Sequence, residues 1–315
     1  MKKAILFSLA ILLVLSGCTK KQKEAADEFT FAFLTDIHLQ PELNAVEGFR
    51  KAIDTINQLA PDFVLTGGDL VMDALDQTYG RVDSLYKLYI QVSKEFNMPV
   101  YNAMGNHEIY GWHRHEEGIA DNPEYGKKMF ENRIGKRYYS FDHKGWHFIV
   151  MDGIELGEDG YYYGHVDNDQ IGWLKGDLEK VDKKTPIAVI THIPFITVQT
   201  QLTKGTLEPN PKGLVITNGR DVLLNFLDYN LKLVLQGHLH FLEDINVQNE
   251  VHFITGGAIC GRWWNNKINS WPQEGFLLVR VKGEEFEWEY VDYGWVTETE
   301  RKMEAASSAA GVEGD

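Results

Sequence analysis

Five times along this chain an apolar run of strand length stops at a short cluster of Asp, Asn, His and Gly. The clusters are Asp36-Ile37-His38, Gly67-Gly68-Asp69, Gly105-Asn106-His107-Glu108, Thr191-His192-Ile193-Pro194 and Gly237-His238-Leu239-His240. A fold must bury the runs and leave their polar ends accessible. An α/β architecture does both, because its sites form where strands leave the sheet at their carboxyl ends. Between the first two clusters, Val46, Phe49, Ala52, Ile53, Ile56 and Leu59 recur at helical spacing and stop at Pro61, which predicts a helix over 44–60. A second helix is predicted over 76–96. Strands are expected at 29–35, 63–65, 100–103, 138–141, 146–151, 187–190, 231–235, 251–254 and 276–281. The first half reads β-α-β-α-β and the second half adds strands in hairpin order, so the fold class is a mixed α/β sandwich.

The clusters also have a chemistry. Asp36 and His38, at i and i+2, share a face if the segment is extended. Carboxylate, imidazole and Asn carbonyl groups suit divalent ions such as Mn, Fe or Zn. No Cys stands among them, which argues against a structural zinc site. Eight ligand or acid groups exceed what one tetrahedral ion accepts, and fit two ions that share a bridging carboxylate. Gly68, Gly105 and Gly237 precede ligands where a sharp turn calls for positive φ or close backbone approach. Taken singly, each His or Asp reads as an ordinary surface or core group. Five of the chain's 11 His falling in these clusters is poorly explained by chance.

Composition narrows the partners. Lys and Arg number 31 against 46 Asp and Glu, a net charge of −15 over 315 residues. Such a surface repels duplex nucleic acid, whose binding needs cations on phosphates. It does not exclude a small anionic substrate, because bound metal ions reverse the field locally. The two cysteines, Cys18 and Cys260, leave no disulfide framework, and Cys260 reads as a small buried hydrophobe. Residues 1–17 have the form of a secretory signal: Lys2 and Lys3, an apolar run from Ala4 to Leu15, then small residues. Leu15-Ser16-Gly17-Cys18 resembles a bacterial lipoprotein cleavage box. That resemblance implies a lipid on Cys18 and attachment to a membrane of the bacterial cell envelope, in the periplasm or at the outer membrane. Residues 18–28 then form a tether, 29–295 one folded domain and 296–315 a disordered tail.

The ordered set Asp-x-His, Gly-Asp, Gly-Asn-His-Glu, His and Gly-His-x-His, spread from residue 36 to residue 240, resembles the calcineurin-like metallophosphoesterases. The resemblance implies a four-layer αββα sandwich of two mixed β-sheets with two divalent metal ions at the strand ends. Asp36, His38 and His240 would hold the first ion. Asn106, His192 and His238 would hold the second, and Asp69 would bridge them. By the same resemblance a metal-bridging hydroxide attacks phosphorus and His107 serves as the acid. Met72 stands where purple acid phosphatases carry a Tyr, and Leu70-Val71-Met72-Asp73 replaces the extension of the protein phosphatases. The pattern is nearer to small bacterial phosphohydrolases grouped with cyclic-nucleotide phosphodiesterases. Glu108 stands where many of those have Asp, which tells against a cyclic nucleotide as substrate. Tyr110, Trp112, His113, Arg262 and Trp263 are candidate substrate contacts, since aromatics beside a phosphate site can stack a base. The expected function is hydrolysis of a phosphomonoester or phosphodiester. The alternative is a non-enzymatic metal-binding scaffold lipoprotein on the same fold.

Overall fold

Strand β1 (Glu28–Leu34) is buried on both faces: Phe29, Phe31 and Phe33 point one way, Ala32 and Leu34 the other. A strand with two apolar faces needs a packing layer on each side. The computed structural model describes residues 28–248, 250–265 and 274–297. After β1 come α1 (Ala45–Leu59), β2 (Phe63–Thr66), α2 (Tyr79–Val92), β3 (Val100–Asn102), α3 (Lys128–Arg133), β4 (Tyr139–His143) and β5 (Trp146–Val150). Next are β6 (Ile154–Leu156), β7 (Tyr162–Gly164), α4 (Asn168–Leu178), β8 (Pro186–Ile190), α5 (Gln199–Lys204), α6 (Gly219–Leu223) and β9 (Asn230–Gln236). The last are β10 (Glu243–Val247), β11 (Val251–Thr255), β12 (Phe276–Lys282) and β13 (Glu285–Val291).

One sheet has the order β13-β12-β1-β2-β3 and the other β10-β11-β9-β8-β5-β4. Their facing sides share one core, in which Phe31 stacks on Phe63 at 5.3 Å and Phe148 meets both edge-on at 5.7 and 5.4 Å. Each such pair adds about 0.5–1.5 kcal/mol beyond burial alone. The outer faces carry the helices. Helix α1 buries Phe49, Ala52, Ile53 and Ile56 in a cluster with Ala32, Leu34 and Val64. It ends where Ala60, at φ 50, donates its N–H to the Ile56 carbonyl just before Pro61. On the other side, Leu174 and Leu178 of α4 join a cluster with Ile149, Ile187 and Val189. The result is the expected four-layer sandwich of two mixed sheets.

The second half differs from simple hairpin order. Strands β5, β8, β9 and β11 are parallel, and β4–β5, β6–β7, β10–β11 and β12–β13 form the hairpins among the described residues. Helix α4 supplies the crossover between β5 and β8. Gly172 and Gly176 weaken its helical pattern, so spacing does not reveal it. The parallel pairs β1–β2, β2–β3 and β8–β9 bring all five polar clusters to the carboxyl ends of neighbouring strands. The expected signal, Cys18 with its expected lipid, and nearly all of the expected tether and tail lie outside the described residues. Thr297 is buried, so the folded body runs just past the boundary expected at 295.

Candidate metal centre

Asp36 and His38 follow β1, Asp69 follows β2, Asn106 and His107 follow β3, His192 follows β8, and His238 and His240 follow β9. The segment after β1 is not extended. Asp36, His38, Asp69, His238 and His240 all have positive φ, between 45° and 73°. Such backbone is costly for residues with a Cβ and clusters at functional sites. The shared face of Asp36 and His38 therefore comes from two left-handed residues, not from strand alternation. Among the three expected glycines, only Gly68 has positive φ, at 91°. Gly105 and Gly237 are needed for space: a Cβ would lie 2.1 Å from Asp69 Oδ1 and 2.1 Å from Thr35 Oγ1, respectively.

The seven side chains converge. Asp69 Oδ2 lies 3.6 Å from His38 Nε2 and 3.1 Å from His192 Nε2, so one oxygen stands between two groups. In the first group, His240 Nε2 is 3.0 Å from His38 Nε2 and 3.4 Å from Asp36 Oδ1. In the second, His192 Nε2 is 3.1 Å from Asn106 Oδ1 and 3.2 Å from His238 Nδ1. Backbone groups hold the remaining atoms. Asp36 Oδ2 accepts from the Thr35 hydroxyl (2.6 Å) and the His238 N–H (3.0 Å), and Asp69 Oδ1 accepts from the His107 N–H (2.9 Å).

The proton assignments decide what the second group can hold. His192 Nδ1–H donates to the Gly67 carbonyl at 2.7 Å and His238 Nε2–H donates to the Gly213 carbonyl at 3.0 Å. In the neutral rings, His192 Nε2 and His238 Nδ1 are then both acceptors. They face each other, Asn106 Oδ1 and Asp69 Oδ2, and only an added proton or a bound cation relieves the repulsion among them. A cation among them removes that repulsion, and ligand bonds of about 2.0–2.2 Å place neighbouring donor atoms roughly 3–3.6 Å apart. The residues therefore fit a divalent metal ion here. His240 Nδ1 likewise faces the Gly261 carbonyl, at 3.1 Å, which turns Nε2 toward His38 and Asp36.

The metal-free charges respond to one another. Burial pushes His38 down to about 4, and burial with the neighbouring His192 charge pushes His238 down to about 4. Against burial, Asp69 raises His192 to about 9, and Cys260 and Asp36 raise His240 well above its ordinary value. Against burial, the histidines hold Asp36 and Asp69 well below the usual carboxylate range.

His107 sits differently. Its Nδ1 is hydrogen-bonded to the Met72 carbonyl, with Asp73 Oδ1 at 3.9 Å, while Nε2 faces Asp69 Oδ2 at 3.9 Å and makes no hydrogen bond among the described residues. Trp263 lies over His38, His240 and His107, with centroids 4.0, 4.8 and 5.4 Å apart. Arg262 is exposed on the same loop. His113 stacks beside Tyr162, near His238. Tyr110 and Trp112 are buried, Tyr110 against Tyr79 and Trp112 beneath Lys127. Sequence reasoning missed three groups. Cys260 is buried as expected, yet its Sγ lies 3.8 Å from His240 Nδ1, within a possible ligand group of His38, His240 and Cys260. Tyr162 carries no motif signal at all. Glu108 is fully buried, and both its oxygens accept from backbone, from the N–H groups of Asp69, Leu70, Val71 and Gly105 at 2.7–3.0 Å. Its length answers to the spacing of two loops, so the Glu-for-Asp difference says nothing about a cyclic nucleotide.

The calcineurin-like phosphoesterase profile matches residues 29–242, which contain all seven ligands expected from the sequence. The chain belongs to the calcineurin-like phosphoesterase family. The family usually binds divalent metals, and the chain has His/Asp clusters able to hold them. Among curated relatives, the 3',5'-cyclic adenosine monophosphate phosphodiesterase CpdA of Haemophilus influenzae is 24% identical, over 72% of this chain and 75% of that one. A dimetal phosphatase of Danio rerio has a similar structure, with TM-score 0.60, 13% identity, and 84% of this chain and 96% of that one covered. GAP50, described as the anchor in the inner membrane complex of Plasmodium, has TM-score 0.52 and 16% identity, over 84% of this chain and 85% of that one.

Proposed function

We propose that the chain is a metal-dependent phosphoric ester hydrolase acting on a small phosphomonoester or phosphodiester. The observation that carries this is the ring of ligand atoms around Asp69 Oδ2, beside a His107 Nε2 that makes no hydrogen bond among the described residues. Asp36, His38, His240 and Asp69 would hold one ion, and Asp69, Asn106, His192 and His238 the other. When bound, such a pair supplies a nucleophilic water at neutral pH and offsets the charge of the phosphoryl oxygens. The protein's own part is orientation and proton transfer. The Met72 carbonyl fixes the His107 ring so that Nε2 is presented to the leaving oxygen. His107 would act as the acid, passing a proton from Nε2 to that oxygen, with the Asp69 and Asp73 carboxylates each 3.9 Å from the ring. Trp263 forms an apolar wall that excludes water from one flank.

The scaffold alternative draws on GAP50, because the same fold occurs in a protein described as an anchor. Both readings allow metal binding, so turnover must separate them. The Mn²⁺-loaded protein is expected to hydrolyse bis-p-nitrophenyl phosphate or p-nitrophenyl phosphate. Failure on these and on a broad phosphoester panel, with both ions bound, would leave the scaffold reading. We further read the protein as an envelope lipoprotein anchored through Cys18. A precursor pattern unchanged by globomycin would contradict that anchor.

A further inference from the structure

Tyr162 stands on β7, whose short hairpin with β6 leaves the second sheet just after β5. Its ring meets His238 edge-on, with centroids 6.0 Å apart at 82°, and lies parallel to His113 at 6.0 Å and 13°. The hairpin is fastened to the loop that holds His238. Gly164 N–H donates to the Lys212 carbonyl and Thr217 N–H to the Gly164 carbonyl, both at 2.8 Å, while Gly213 between them accepts from His238 Nε2. The ring is thus held in register with a candidate ligand.

Packing explains the ring but not its hydroxyl. That oxygen makes no hydrogen bond among the described residues, and a Phe would fill the same space. A phenol hydroxyl is a hydrogen-bond donor as well as an acceptor. Trp263 covers the His38–His240 end of the centre, and Tyr162 flanks the His192–His238 end.

We propose that the Tyr162 hydroxyl is a substrate contact, donating a hydrogen bond to a phosphoryl oxygen. The proposal rests on the phosphoesterase reading for its ligand, so the test includes a binding arm independent of turnover. Inorganic phosphate is titrated calorimetrically into the Mn²⁺-loaded full chain and into its Tyr162→Phe variant. Hydrolysis of bis-p-nitrophenyl phosphate is followed in parallel. The variant should keep its Mn²⁺ content and thermal midpoint, and lose about tenfold or more in phosphate affinity or in kcat/KM, as expected for a hydrogen bond to a charged group. Equal affinity and equal kcat/KM would overturn the contact. A lowered thermal midpoint would also overturn it, by showing that the hydroxyl is bonded within the protein. If the unaltered protein binds phosphate without turnover, the hydrolase reading falls while the affinity ratio still decides Tyr162. If it binds no phosphate, the contact falls too.

Discussion

Glu108 shows how much one buried side chain can organise. Four backbone N–H groups from the loops after β2 and β3 point at its two oxygens. Burial and the Asp69 charge push its carboxyl up to about 8, yet every one of those donors favours the ionised form. Glu108→Ala leaves all four without a partner in the interior. A loss of about 3 kcal/mol or more is expected in urea unfolding of the metal-free protein. Glu108→Asp, one methylene shorter, should restore part of it. An Ala variant as stable as the parent would show that water replaces the carboxylate. His107 gives the complementary prediction. His107→Asn should keep both ions, measured by metal analysis, and lose roughly 10²–10⁴-fold in kcat. Loss of metal with unchanged turnover per ion would refute the acid role. At this scale the motif residues were legible because chemistry restricts which side chains bind metals. Tyr162 and the thiol of Cys260 were not, since neither stands in a motif that ties it to the strand-end clusters.

At the scale of elements, the strand ends matter more than the strands. Regular alternation stops at Leu34, and Asp36 and His38 then take left-handed backbone at φ 55° and 45°. Apolar periodicity locates β1 but carries no information on these dihedrals. The surrounding contacts impose them: Asp36 N–H donates to the Gly68 carbonyl and His38 N–H to the Asp69 carbonyl. Close approach of neighbouring loops is equally invisible in one dimension. At Gly105 the backbone φ is an ordinary −104°, and only the absence of a Cβ leaves room for Asp69. Gly105→Ala should therefore displace the Asp69 carboxylate, costing about 1–3 kcal/mol in stability and weakening Mn²⁺ binding in calorimetric titration. An Ala variant that binds Mn²⁺ normally would mean that the loops shift without cost. Helices α1 and α2 were read nearly to their ends, because each has one apolar face and a clear stop or start. Helix α4 was missed, because its tertiary packing outweighs two glycines.

For the whole molecule, metal loading should be felt as stability and as proton release. His192, raised to about 9, and His240, also raised, carry protons at neutral pH before an ion binds. Ligation requires their neutral forms, so Mn²⁺ binding should release protons and weaken as pH falls. The sign is checked by titration in buffers of different ionisation enthalpy, where the observed heat should change with the buffer. The thermal midpoint should rise with Mn²⁺ and return with chelator, and the rise should shrink as pH is lowered from about 8 to about 6. A heat independent of buffer would show that the histidines are already neutral. The sequence alone determined the fold class and the presence of polar clusters at the strand ends, because strand burial and metal chemistry each restrict residue type locally. Only the tertiary structure decided which nitrogen of each histidine faces inward, that Glu108 serves the backbone, and that Tyr162 stands beside His238. Those facts depend on carbonyls, dihedrals and neighbours contributed by distant segments, which no local pattern encodes.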